Sequence, residues 1–463
     1  LLVAAALVAT GGGGPPRAGT PGWASPGLVG GSGWPFTGVP LSPSEARGAA
    51  YLPDSSIVRL ADGRIRLVPP GSDASVTLPP DDPQIAAAVR AESGWLARGT
   101  VPGGGVPADS ADKRIRSADD YRDMAARALL DLRLLTRPNG ASLASWYGAW
   151  RYSWPRDSAF AAAAFAVTGH PAEARRVLRF LARVQHEDGV WAARYNADGT
   201  AVADGRPPQL DSLGWVLWAS WFYRVRAASP GDLPELWPMV RRAADHLAHS
   251  LDAGGLPPAS SDYWERDHRR EQDPRRPTLG VVGPVLAGLR AAAAVADGYG
   301  DRGSAARWRG AAHRLRMAVA REFAPYGYPR SPIPGGLMDT SVTFLAPPFA
   351  AADPAVAGAV ATAARKQALP NGGVLPGERW PGNPLVAWTP ETALFALNSA
   401  ASGRQEDALG RLDWLAAHRT SLGALPEKIG ERGQPAGVAP LGWTASLVVL
   451  TLSALEKPLP VPP

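Results

Sequence analysis

The sequence predicts an all-α protein: an (α/α)6 barrel of six helical hairpins, preceded by a small N-terminal extension that contains a β-hairpin. Three observations carry this. Apolar segments of helical length and period recur from about residue 117 to the end of the chain. The links between them alternate between a few residues and roughly twenty, the latter well beyond the usual helix connection. The second member of each long-linked pair is apolar all round, as in Phe160 to Val167, Val281 to Val295 and Ala445 to Leu452. Its partners, such as Ala172 to Gln185 and Ala305 to Arg321, carry arginine on one face. Inner and outer members that alternate this regularly favour closure into a ring over an open solenoid.

In order along the chain, Leu1 to Thr10 is an apolar run followed by Gly11 to Gly14. It is too short to span a membrane and reads as the apolar remainder of a secretory signal, which suits a secreted or envelope-associated protein. The rest of residues 1–50 is a Gly/Pro/Ser-rich linker. Residues 51–116 form a small β-containing support segment. In it Ser56-Ile57-Val58-Arg59-Leu60 and Arg64-Ile65-Arg66-Leu67-Val68 alternate around Ala61-Asp62-Gly63, a hairpin pattern. Ser75-Val76-Thr77-Leu78 adds a third strand.

The barrel domain occupies 117–457, with helices expected at 119–136, 156–168, 171–186, 209–227, 233–252, 277–299, 302–324, 339–348, 353–367, 386–402, 404–419 and 440–455. Short turns punctuate them at Thr168-Gly169-His170-Pro171, Ser229-Pro230-Gly231, Gly298-Tyr299-Gly300-Asp301 and Ser402-Gly403. Twelve helices linked in this way make a repeat of about fifty residues, with all long loops on one rim.

Composition narrows the function classes. The 48 Lys+Arg stand against 42 Asp+Glu, and the basic residues are scattered along helices rather than gathered in a stripe, which argues against nucleic acid. There is no cysteine, so disulfides and thiolate metal sites are excluded. His246 and His249 are helically spaced on an amphipathic segment and read as a solvated face, so no metal site or cofactor is expected. Phosphate-cradling, zinc-protease and serine-hydrolase motifs are missing. No feature specifies an oligomeric state or a stable membrane span.

The long loops hold the aromatic residues. Trp146 to Asp157 contains five aromatics in twelve residues and ends on Pro155-Arg156-Asp157, where Pro155 suits the first turn of a buried helix. A fixed guanidinium and carboxylate beside aromatic faces offers paired hydrogen bonds to sugar hydroxyls and a surface for a sugar's C–H face. Other long loops carry Trp191, Arg194, Tyr195, Asp262-Tyr263-Trp264-Glu265, Tyr326, Tyr328, Trp380, Glu378 and Glu427. Such a rim suits an oligosaccharide, and glycoside hydrolysis needs two carboxyl groups there. Burial against Trp264 is expected to keep Glu265 protonated as an acid requires. For the second carboxylate Glu378, Glu391 and Glu427 all remain candidates, Glu391 lying in a helix first turn where a structural acid is also expected.

Tyr152-Ser153-Trp154-Pro155-Arg156-Asp157 resembles an element of glycoside hydrolase family 15, the glucoamylases, glucodextranases and trehalases. Gln209-Leu210-Asp211, Asp262-Tyr263-Trp264-Glu265 and Leu425-Pro426-Glu427-Lys428, with Pro440-Leu441-Gly442-Trp443-Thr444 behind it, are similar to further family elements in the same order. The resemblance covers about residues 117–456. It implies an exo-acting, inverting α-glycosidase, with Glu265 as general acid and Glu427 as general base acting through water. Arg156 and Asp157 are then expected to grip the terminal sugar. Tyr152, Trp154, Tyr263, Trp264, Trp191, Trp388 and Trp443 complete the expected sugar-binding set. Lys428 and Arg266 stand where the family carries other residues, and alternation along an extended loop points the Lys428 side chain away from Glu427. The alternatives are a trehalase on the same scaffold, a phosphorylase, which a retained Glu427 argues against, and a non-catalytic sugar-binding envelope protein.

Overall fold

The predicted helices form within a few residues of their expected bounds, with one exception in the inner ring. The structure, a computed structural model, describes residues 28–29, 48–69, 75–105, 118–226 and 234–463. The apolar start, most of the linker and the Ser229-Pro230-Gly231 turn lie outside these residues.

The described residues begin with β1 (Leu28–Val29), then the antiparallel strands β2 (Ala50–Tyr51), β3 (Val58–Arg59), β4 (Ile65–Leu67) and β5 (Val76–Leu78). Thus the predicted hairpin and third strand are present, and a short strand joins them on the other edge. Helix α1 (Pro83–Ala97) follows, capped by Asp82, whose carboxylate accepts from the Gln84 N–H at 2.8 Å. An N-cap Asp followed by Pro at the first helical position signals this helix in the sequence, although it was not among those expected. The β segment docks on the barrel through buried Arg127 of α2 (Ala118–Leu135). Its guanidinium lies 4.0 Å from the Tyr51 ring centre and donates to the Ser55 carbonyl and Ser56 hydroxyl.

The barrel continues with α3 (Pro155–Val167), α4 (Pro171–Val184), α5 (Leu210–Arg226), α6 (Trp237–Ser250), α7 (Leu279–Tyr299) and α8 (Arg302–Glu322). A 3-10 helix, Thr340–Leu345, precedes α9 (Pro354–Gln367). Strand β6 (Ala387–Trp388) runs into α10 (Thr389–Ala401) and α11 (Gln405–Ala417). Strands β7 (Lys428–Ile429) and β8 (Pro435–Val438) lead to α12 (Gly442–Glu456). The inner elements touch in a closed sequence: α3 meets α5, α5 meets α7, α7 meets the 3-10 helix, which meets α10; α10 meets α12, and α12 returns to α3. Closure is therefore realised, with α2, α4, α6, α8, α9 and α11 outside.

The exception is the segment expected to be helical over 339–348. It forms only the six-residue 3-10 helix, which is wholly buried. Asp339 starts it by accepting from the Ser341 N–H at 3.1 Å, and Pro347 and Pro348 stop it, since neither supplies the N–H an α-helix needs.

Aromatic rings fill the barrel axis. Phe160 packs on Trp215, Trp218, Phe349 and Trp443 with centroids 5.0–6.0 Å apart. Such contacts contribute about 0.5–1.5 kcal/mol each beyond the area they bury. Helices α5 and α7 meet at Gly214 and Gly288, so closely that a Cβ on Gly214 would lie 2.2 Å from the Pro284 carbonyl oxygen. Among the described residues α7 is the one helix long and apolar enough to cross a membrane, and it is buried in this inner ring.

Candidate active site

Every inner element starts at the end of a long loop, so six N-termini and six loops share one rim. Pro155 sits at the first position of α3, as its fixed φ favours, and brings Arg156 and Asp157 into the first turn. Both are buried there rather than carried on a solvated loop. The Arg156 guanidinium lies 5.2 Å from the Trp443 ring centre. It pairs with Asp157 at 3.2 Å, with Asp211 in the first turn of α5 at 3.3 Å, and with Glu265 at 3.1 Å. One buried cation therefore gathers four of the sequence elements singled out above.

Glu265 stands in different surroundings from those expected. Its side chain is 24% exposed. Oε1 accepts from Arg156 and from Gln209 Nε2 at 3.1 Å, and Oε2 from Arg206 Nη1 at 2.6 Å. Two guanidiniums and an amide surround the carboxylate where an apolar pocket against Trp264 was anticipated. The reason is backbone geometry. Glu265 has φ +53° at the end of a turn closed by its own N–H to the Asp262 carbonyl at 2.8 Å, which turns it away from the preceding indole. Trp264 instead packs edge-on to Trp380, 4.8 Å between centroids, and Trp380 meets Trp388 at 5.3 Å. Gly377 makes room for it, since a Cβ there would lie 2.5 Å from the Trp264 ring.

Glu427 is held by a small sheet of order β1-β8-β7-β6. Its N–H donates to Val438 O at 2.8 Å and its carbonyl accepts from Thr389 N at 3.0 Å, so the backbone is fixed on both sides. Gly437 lies behind it with φ +72°, and a Cβ there would come within 2.3 Å of Glu427 Oε2. Trp150 hydrogen-bonds the carboxylate. Lys428 does not point away: its Nζ is 3.5 Å from Glu427 Oε1 and 4.2 Å from the Trp388 ring centre. Strand alternation sets the direction of a Cβ, but the four-carbon stem of lysine folds back over Trp388, its register partner in the sheet. Burial pushes the Glu427 carboxyl up and Lys428 pulls it back down. Burial pushes the Lys428 ammonium down, and Glu427 and Glu391 oppose it.

The other two candidates for the second carboxylate separate clearly. Glu378 pairs with Lys366 of α9 at 3.1 Å and accepts the Met338 N–H, a structural role on the outer side. Glu391 is buried in the first turn of α10 within electrostatic reach of Glu427, Lys428 and Arg156. Burial pushes it up to about 8, and the nearby Glu427 adds to this.

The remaining aromatic residues divide. Arg194 spans Tyr152 and Trp154, 4.6 and 5.1 Å from their ring centres, and pairs with Asp204, which also pairs with Arg206 at 3.3 Å. Tyr263 is buried against Phe344 and Trp443 and donates to Asp339 at 2.9 Å. The indole N–H groups of Trp154, Trp264 and Trp443 have no hydrogen-bond partner among the described residues. Trp191 is 0% exposed and donates to the Leu181 carbonyl at 2.8 Å, so it belongs to the packed wall and not to the sugar-facing surface expected of it. Tyr195 is likewise structural, donating to Val184 O. Arg206 and Arg330 were not singled out by sequence, since single arginines in loops of an arginine-rich chain carry no pattern.

Several buried carboxyl groups share one electrostatic consequence. Burial raises Asp131 to about 6, Asp211 to about 7 and Glu391 to about 8, and pushes Asp157, Asp339 and Glu427 upward. A carboxyl whose value is higher in the folded than in the unfolded chain binds more protons when folded between the two values, so stability falls as pH rises through that window. His170 and Lys428, both lowered by burial, act in the opposite sense but are outnumbered by the raised carboxyl groups. The melting temperature is therefore expected to fall between about pH 5 and pH 9, and Glu391→Gln to flatten that fall. A melting temperature that rises across this range in a pH series of thermal scans would contradict the assignment.

A closed ring of six inner and six outer helical elements, with carboxylates and tryptophans on the loop-bearing rim, defines the six-hairpin glycosidase class. The chain belongs to glycosyl hydrolases family 15, whose sequence profile matches residues 119–408. An uncharacterized glycosyl hydrolase of Methanocaldococcus jannaschii, MJ1610, is 24% identical over 378 residues, 74% of this chain. The chain spans 57% of that relative's length. A glycosidase variant solved in complex with glucose superposes with a TM-score of 0.62 at 21% identity, covering 73% of this chain and 97% of the other. A bacterial glucoamylase complexed with acarbose gives a TM-score of 0.62 at 18% identity, covering 82% of this chain and 60% of the other. At these identities the two structures speak for the fold.

Proposed function

We propose that the protein is an exo-acting, inverting α-glycosidase that cleaves α-glucosidic bonds at the non-reducing end of an α-glucan or α-glucoside. The observation that carries this reading is the Arg156 node, which ties Asp157, Asp211 and Glu265 together over Trp443, with Glu427 on the same rim. Family membership and the glucose and acarbose in the structural relatives support it. In this reading Glu265 gives a proton to the glycosidic oxygen as its bond to the anomeric carbon breaks. Glu427 takes a proton from the water that attacks that carbon from the opposite face, and the β-anomer leaves. Glu265 Oε2 exchanges Arg206 for the glycosidic oxygen in the productive complex. Arg156 and Asp157 hold the terminal sugar against Trp154, Tyr152, Trp264, Trp388 and Trp443.

The test is turnover on a panel of α-glucosides and trehalose, with the released anomer read by NMR. Release of the β-anomer is expected; the α-anomer would overturn the inverting mechanism. A second reading, a non-catalytic sugar-binding protein, is favoured by one feature: each of the two carboxylates has a cation against it, Arg206 on Glu265 and Lys428 on Glu427. Sugar binding by calorimetry without turnover on any member of the panel would select that reading.

Lys428 supplies a further prediction. A general base works deprotonated, and Lys428 lowers the Glu427 value. Lys428→Met is therefore expected to move the acidic limb of the kcat/KM profile to higher pH. An unmoved limb would separate Lys428 from the base.

A further inference from the structure

Glu265 is a non-glycine residue with φ +53°, a left-handed backbone that L residues adopt only when their surroundings enforce it. The turn that enforces it starts at Asp262. The Asp262 carbonyl accepts the Glu265 N–H at 2.8 Å, and its Oδ1 accepts the Trp264 N–H at 3.0 Å. That same Oδ1 is bound by Arg330 Nη2 at 3.0 Å, while Oδ2 takes the Thr278 hydroxyl at 2.6 Å. Arg330 comes from the next long loop along the rim and is 5% exposed. Its guanidinium lies 3.8 Å from the Trp264 ring centre. Nη1 meets Asp339 Oδ2 at 2.8 Å, the oxygen that also accepts the Tyr263 hydroxyl. Nε and Nη2 grip Glu271 bidentately at 3.0 and 2.7 Å, closing the far side of the loop. The backbone of Arg330 is fixed as well, its N–H on Leu337 O and its carbonyl on the Leu279 N–H at the start of α7, both 2.8 Å.

We propose that Arg330 is a positioning residue for the acid arm: through Asp262, Trp264 and the Tyr263–Asp339 contact it holds the turn that aims Glu265, without touching Glu265 itself. A planar fork suits this role because it serves three carboxylates and stacks on an indole at once, which an ammonium cannot do. The inference rests on the reading of Glu265 as general acid, and it assigns to Arg330 the orientation of the proton donor rather than the binding of sugar.

Proton donation matters where the leaving group is a sugar alkoxide and little where it is fluoride, so the leaving group separates positioning from general damage. Arg330→Lys is assayed on the best α-glucoside of the panel and on α-glucosyl fluoride. The expected result is a loss of about 10²-fold in kcat on the glucoside with KM little changed, and less than about tenfold on the fluoride. Equal losses on both substrates, or none, overturn the proposal. Asp262→Asn, which weakens the same clamp from its other end, replaces Arg330→Lys if the latter does not fold. Failure of both to fold makes the cluster a determinant of the fold alone and also overturns it. Glu265→Gln is the control: if it shows no difference between the substrates, the assignment of the acid fails. If it shows the difference and Arg330→Lys does not, the acid stands and Arg330 is not its positioning residue.

Discussion

Glu427→Gln is expected to lower kcat by about 10²–10⁴-fold, the usual contribution of a general base, while the affinity for the product sugar stays within a few-fold of wild type. The structure makes this substitution conservative. The Glu427 backbone is fixed by Val438 and Thr389 independently of the side chain, and glutamine keeps the shape and one carbonyl oxygen for Lys428 and Trp150. What disappears is the ability to accept a proton from water, a property that matters in the transition state alone. Kinetics on the best glucoside, with calorimetry of the product sugar, measures both parts. Full turnover in Glu427→Gln would remove Glu427 from the base role and leave buried Glu391 as the neighbouring carboxyl to examine.

The second large effect is on stability. Arg156→Met removes the guanidinium that pairs with both Asp157 and Asp211, which are buried. Breaking a buried ion pair from one side costs about 3–5 kcal/mol, because the abandoned charge stays out of water. Asp211, already pushed up to about 7 by burial, escapes this cost by taking a proton. Its folded value rises further without Arg156, so the penalty is expected to be large at about pH 8 and to shrink toward about pH 5. Thermal scans of wild type and Arg156→Met at both values test the sign. A penalty of equal size at both would show that the guanidinium contributes packing on Trp443 rather than charge compensation.

Much of this was legible in the sequence, and the reasons differ by element. Helices with a 3.6-residue period and Gly or Pro punctuation announce themselves, and alternating link lengths place six helix starts on one rim. The 3-10 helix at Thr340–Leu345 was hidden because an apolar run of that length looks the same whichever helix it forms. Glu391 could be seen but not weighed, since a first-turn acid is expected with or without a partner such as Glu427. The surroundings of Glu265 depend on Arg206, Gln209 and a positive φ, which are set by how loops fold over one another and leave no periodic trace. Lys428 was misdirected by a rule about Cβ atoms applied to a side chain long enough to evade it.

The Arg330 cluster also bears on how this rim can diverge. A scaffold whose core helices are joined on the opposite side by brief turns would ordinarily accept new loops one at a time, each exchange altering what the mouth recognises. Here the segment carrying Glu265 and the segment after α8 share one guanidinium and three carboxylates, and loss of the guanidinium would strand all three. Those two segments form a single structural unit. Transplanting either by itself from another member of the family would deliver half of a shared ion-paired joint, whereas moving both together would carry a complete one, and recombination libraries on this barrel should place their crossover points outside the pair.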